Sequence, residues 1–175
     1  HAWNYGAPST VWPTIVNGAQ LAPCVGVATP YDSRRNVNMN NSFNSGRTSG
    51  SMPSATTTAF ANTEIIDVLN GMIYGGGKSN EMNFVDGLTA GKDYELRFFN
   101  RAWDMSLTRQ CIFAYDPFGT GEVRYDFNEN DSATPSYIAF RIRPTGTSFR
   151  VIGYSNQSGD YPHFYGATIE EVRDY

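Results

Sequence analysis

Charge is scarce in this sequence: only 17% of its 175 residues are Asp, Glu, Lys or Arg. That is too few for a coiled coil or for a chain held unfolded by its own charge. The 13 Lys and Arg against 17 Asp and Glu leave a formal net charge of −4. Nucleic acid is therefore not an expected partner, since phosphate binding needs clustered cations. No apolar run reaches the ~18–20 residues that span a bilayer, so no membrane span is expected. No internal repeat occurs. Histidine is limited to His1 and His163, and no Gly-x-Ser-x-Gly elbow is present, which argues against a Ser-His-Asp triad. Gly75-Gly76-Gly77-Lys78-Ser79 lacks the leading glycine spacing of a phosphate loop and reads as a turn. No catalytic residue is assigned.

Aromatic side chains are abundant instead, at 14% of the chain. Many sit in strict alternation: Met82 and Phe84; Tyr94, Leu96 and Phe98; Cys111, Phe113 and Tyr115; Val123, Tyr125 and Phe127; Ile138, Phe140 and Ile142; Phe149 and Val151. Period-two patterns broken by Gly, Pro, Asp and Asn predict half-buried antiparallel strands. A last strand is expected from Phe164 to Val172, with Ala167 and Ile169 inward. The fold class is all-β, an antiparallel β-sandwich or jelly roll in a single domain over 1–175. Residues 1–61 read as a loop-rich leader with short strands at Thr14–Val16 and Cys24–Thr29, an extended run ending at Phe43, and a surface loop over 44–58. Residues 62–175 are the strand-rich remainder. One short helix is expected near 63–71: Asn62-Thr63-Glu64 offers a cap, and Ile65, Leu69 and Met72 face inward.

Cys24 and Cys111, widely separated, read as one disulfide of an oxidising compartment or as two buried thiols. The chain starts at His1 with no Met, as a mature or trimmed chain does. A free amino-terminal histidine binds Cu(II) through its amine and ring, and His163 is available as a second ligand, with Phe164 or Tyr165 axial. The same His1 is equally explained by trimming. In 126–132, Asp126, Asn128, Asn130 and Asp131 place side-chain oxygens in a turn between strands, a candidate Ca²⁺ loop without the EF-hand spacing. An Asx-rich hairpin explains the same residues with no metal. Glu95 and Glu122 are the carboxylates to inspect for glycosidase chemistry, although solvated strand positions account for them as well.

From Thr63 onward the pieces resemble a β-sandwich (jelly-roll) module of secreted and surface proteins in polysaccharide-degrading bacteria. The resemblance rests on Val68-Leu69-Asn70-Gly71-Met72-Ile73-Tyr74-Gly75-Gly76, then Gly87-Leu88-Thr89-Ala90-Gly91-Lys92-Asp93-Tyr94-Glu95-Leu96-Arg97. Asn100-Arg101-Ala102-Trp103 and His163-Phe164-Tyr165-Gly166 complete it. It spans roughly 63–173 and implies an extracellular jelly roll, secreted or on the cell surface, of the kind attached to carbohydrate-active enzymes. It implies no binding residues.

Those come from the side chains themselves. Sugar C–H faces stack on Trp and Tyr rings while Asn, Asp and Arg bond the hydroxyls. Asn100, Arg101, Trp103 and Asp104 form one such group, with Tyr74, His163 and Tyr165 converging on it. The expected function is a non-catalytic domain that binds a polysaccharide or surface glycan. A self-associating surface or filament protein and a copper polysaccharide monooxygenase using His1 and His163 are the alternatives.

Overall fold

The computed structural model describes residues 2–5, 14–16, 19–23, 37–39, 43–47, 65–75, 80–84, 87–155 and 162–173. Its strands in chain order are β1 (Ala2–Asn4), β2 (Thr14–Val16), β3 (Ala19–Pro23), β4 (Val37–Met39) and β5 (Phe43–Arg47). After the helix α1 (Ile65–Leu69) come β6 (Gly71–Gly75), β7 (Asn80–Phe84), β8 (Tyr94–Asn100), β9 (Gln110–Tyr115) and β10 (Val123–Asn128). The last are β11 (Ser136–Ile142), β12 (Phe149–Tyr154), β13 (His163–Phe164) and β14 (Gly166–Glu171). Among the described residues they form a six-stranded sheet in the order β11-β8-β14-β1-β3-β2, a five-stranded sheet β10-β9-β12-β7-β4, and a three-stranded sheet β13-β6-β5. Pairing is antiparallel except where β1 runs parallel to β3. The all-β sandwich follows. No described helix is long and apolar enough to cross a membrane.

Two sheets face each other because their strands each have one apolar side. β8 alternates along its length, so Tyr94, Leu96 and Phe98 are buried while Glu95 and Arg97 are half-exposed. The inward set meets Phe140 and Ile142 of β11 and Ala167 and Ile169 of β14 on its own sheet. Phe113, Phe149 and Val151 meet it from β9 and β12 across the core. Rings fill the centre: Phe98 lies 5.0 Å from Phe113, and Phe113 stacks on Phe164 at 5.5 Å. Each such side chain, fully buried, contributes about 1.5–3 kcal/mol of transfer free energy. A second apolar cluster, with Leu21, Val68, Met72 and Tyr165, takes in Phe99 from the opposite side of β8.

The leader is part of this framework. β1 pairs with β14 and β3, β4 pairs with β7, and β5 pairs with β6. β2 occupies the expected residues, whereas Phe43 opens a strand that extends into the span expected to be a loop. The expected strand at 24–29 and most of the 44–58 loop lie outside the described residues. The helix also ends earlier than expected. It closes with Asn70 N–H donating to the Ile66 carbonyl at 2.9 Å, and Gly71 then begins β6. Glycine is a poor helix residue, and the Met72/Tyr74 alternation suits a strand instead. Met72 is buried as expected, but from a strand.

The Leu88–Asp93 turn forms where expected, with Gly91 at φ 79 and its N–H donating to the Pro144 carbonyl at 2.9 Å. Asp93 then anchors the sheet edge. Arg143 donates to it through Nε at 2.6 Å and Nη2 at 2.8 Å, and Arg141 donates at 3.3 Å. The Arg143 hydrogen bonds hold this carboxyl below the ordinary aspartate range. A depressed carboxyl stabilises the fold above its unfolded pKa and loses that contribution as pH falls through the folded value. Asp93→Asn should lower Tm by a constant amount above about pH 5, with the gap to wild type closing below about pH 4; thermal melts across pH measure it. At Gly153 an added Cβ would stand 2.5 Å from Cζ of Phe164 and 3.3 Å from Pro162. Gly153→Ala should therefore displace a core ring and cost about 1–3 kcal/mol in urea unfolding.

Candidate functional site

One end of the sandwich gathers most of the candidate ligand residues. Arg101–Trp103 leave the end of β8, Glu129 and Asn130 follow β10, His163 opens β13, and Tyr165 follows it. The rings do converge: His163 lies 5.0 Å from Trp103, 5.9 Å from Tyr74 and 6.2 Å from Tyr165. The Arg101 guanidinium sits 4.7 Å above Tyr165 and 5.9 Å from Trp103.

Most of this group faces inward. Arg101 is 1% exposed, Tyr165 0% and His163 8%, which leaves no face for a polysaccharide. The assignment of these three as ligand contacts is corrected to an internal role. Trp103 and Tyr74 are half-buried against the same apolar cluster. Asp104 is half-buried, and the Ser106 hydroxyl at 2.7 Å and backbone N–H at 2.9 Å hold its carboxyl below the ordinary range. Asn100, also half-buried, lines a surface depression described below.

The centre of the internal cluster is Glu129, which the sequence did not single out. It is 1% exposed, and its Oε2 accepts the His163 backbone N–H at 3.0 Å. Its Oε1 contacts His163 Nδ1 and accepts the Tyr165 hydroxyl at 3.3 Å. Cys111 Sγ approaches Oε2 at 3.8 Å. Burial pushes the Tyr165 phenol well above its usual pKa, reinforced by the Glu129 charge. Arg101 donates from Nε to the Leu69 carbonyl at 2.7 Å and from Nη1 to the Ala102 carbonyl at 2.8 Å, tying β8 to the end of α1. Desolvation draws its pKa down, opposed by Tyr165 and Glu129. A charge enclosed this way is tolerated only when paired and hydrogen-bonded. The cluster clasps three segments together from buried positions.

Asn130 performs the same task for the loop beyond Trp103. Its Oδ1 accepts the Trp103 and Asp104 N–H groups at 2.8 and 3.2 Å, and its Nδ2 donates to the Leu107 carbonyl at 3.0 Å. The Asn128 Oδ1 accepts from Arg109 and Asn130 backbone N–H groups. Two of the four candidate calcium oxygens are thus turned to backbone donors, while Asp126 and Asp131 are exposed. Among the described residues no three His, Cys, Asp or Glu side chains come together as a metal set. His1 and Cys24 lie outside the described residues, so the copper pair and the disulfide are described only at His163 and Cys111. His163 already directs Nδ1 to Glu129. Glu95 and Glu122 belong to different parts of the sandwich and each meets its own arginine, Arg97 and Arg124.

The open aromatic surface lies elsewhere. A depression of about 330 Å³ runs between β10 and β11, lined by Asn100, Tyr125, Asp126, Asp131, Ser136 and Tyr137, among others. Tyr125 is 43% exposed and Tyr137 58%, the exposure a stacking platform needs. Tyr125 is held at 6.0 Å and near-parallel to Phe127, and the Arg97 guanidinium lies 5.7 Å from the Tyr137 ring. Arg101→Ala should leave the Leu69 and Ala102 carbonyls and the Glu129 charge uncompensated, costing about 3–5 kcal/mol in urea unfolding. Arg101→Lys should restore only part of it, because an ammonium lacks the planar fork.

No protein-family model matches this chain, and no curated protein matches it by sequence. Solved structures share its fold. A β-glucuronidase of Bacteroides uniformis is 10% identical with a TM-score of 0.65, covering 98% of this chain and 18% of its own. The plant receptor-like kinase FER is 11% identical with a TM-score of 0.66, covering 99% and 49%. The extracellular domain of ANXUR2 from Arabidopsis thaliana is 11% identical with a TM-score of 0.63, covering 99% and 48%. The chain spans less than a fifth of the enzyme and about half of each plant structure. At such identities the likeness is one of fold: this chain is similar to a β-sandwich unit found within larger proteins.

Proposed function

We propose that this domain is an extracellular, non-catalytic module that binds a polysaccharide or surface glycan. The depression between β10 and β11 carries the reading. It is partly open to solvent, and two exposed tyrosines stand beside amide, hydroxyl and carboxylate groups that suit sugar hydroxyls. The fold supports it too, since a comparable unit occurs within a β-glucuronidase and within the extracellular domain of ANXUR2. Those neighbours also favour a secreted or surface location.

The Trp103 loop serves this site from behind. Asn130 joins Trp103, Asp104 and Leu107 to the 128–131 turn, whose residues form one wall of the depression. Trp103 then packs on His163 and supports the wall, and the tyrosines meet the sugar.

A polysaccharide panel screened with the intact domain identifies the ligand, and titration of variants locates the site. Tyr125→Ala and Tyr137→Ala should each weaken binding about five-fold, the value of one lost ring contact near 1 kcal/mol, with Tm little changed. Trp103→Ala should mainly lower Tm. A Tyr125→Ala/Tyr137→Ala double variant that binds as tightly as wild type overturns this location for the site.

A further inference from the structure

The depression carries carboxylates that nothing among the described residues neutralises. Many exposed or half-exposed carboxylates elsewhere meet cations: Asp93 meets Arg141 and Arg143, Glu95 and Glu170 meet Arg97, Glu122 meets Arg124, and Glu171 meets Lys92. Asp104 and Asp116 are instead held by hydroxyl or backbone N–H donors. Asp126 and Asp131, both exposed and both lining the depression, have no side-chain partner among the described residues. No described lysine or arginine lines it. The nearest cation to a lining ring, Arg97 over Tyr137, is already engaged by Glu95 and Glu170. Glu129 closes the floor with its carboxylate bonded to His163 and Tyr165.

Resting on the glycan-binding reading above, we propose that this depression selects glycans bearing free, protonated amino groups over neutral and uronate-bearing ones. The tyrosine rings accept the pyranose faces, and the same rings attract an ammonium through their negative faces. Asp126 and Asp131 supply the complementary charge. A uronate brought to the same place meets two unneutralised carboxylates, and like charges across an interface are disfavoured. Because both aspartates are solvent-exposed, the selection is screened by salt.

Calorimetric titration of the intact domain at mildly acidic pH, where sugar amines carry protons, tests this. The probes are a β-1,4-glucosamine oligomer, its N-acetylated counterpart, an oligogalacturonate of equal length and an oligolysine. The glucosamine oligomer should bind about five-fold or more tighter than the acetylated form, the worth of about one exposed charge contact, and oligogalacturonate weakest. Asp131→Asn and Asp126→Asn should each reduce the preference about two-fold while Glu122→Gln does not, and added salt should shrink it. Equal or tighter binding of the acetylated or uronate oligomer overturns the charge selection and leaves the glycan reading standing. Oligolysine binding as tightly as the amino sugar also overturns the proposal, revealing a general cation surface. Binding of no glycan at all, with the fold intact by circular dichroism, removes both.

Discussion

A buried carboxylate organises one end of this sandwich. Glu129 is removed from water and satisfied by a backbone N–H, an imidazole and a phenol that all belong to the β13 region. It reaches across 34 residues of sequence to do so. Nearby, the Arg101 cation spans from β8 to the last turn of α1. Each charge is expensive to enclose alone, and their mutual presence together with complete hydrogen bonding of the carboxylate makes the arrangement tolerable. The position of the Trp103 loop, the seating of the small third sheet and the wall of the tyrosine depression all depend on that clasp.

On the proposed reading, stability and recognition fall to different residues. The interior end uses Arg101, Glu129, His163 and Tyr165, all of them buried. Recognition would fall to Tyr125, Tyr137 and carboxylates at the margins of two sheets. β10 and β11 border the five- and six-stranded sheets respectively, and an edge strand leaves half of its neighbourhood unfilled. Tyr125 and Tyr137 stay exposed there, where no further described strand pairs with β10 or β11.

Much of the framework was legible from alternation alone. In β8, β9, β11, β12 and β14 the inward residues are those named from period two, since a sandwich core forces every second side chain toward it. Three things were not legible. Gly71 separates a five-residue helix from a strand, yet Ile65, Leu69 and Met72 fit helical spacing through it. Tyr125 shares its alternation with buried Phe113 on the neighbouring strand, and only its place on an edge strand exposes it. Arg101, Trp103, His163 and Tyr165 have the same composition whether they hold a sugar or hold the protein together. Burial decides between the two, and burial depends on Glu129, a partner that no local spacing identifies.

The strand β1 lies between β14 and β3, with Ala2 opposite Thr168. A segment from one extremity of the described chain thus lies hydrogen-bonded beside a strand from the other. Such pairing closes a loop of nearly the whole chain, and closure on that scale is entropically slow. During synthesis β8 emerges well before β14 and must wait for it, with its free margin unprotected.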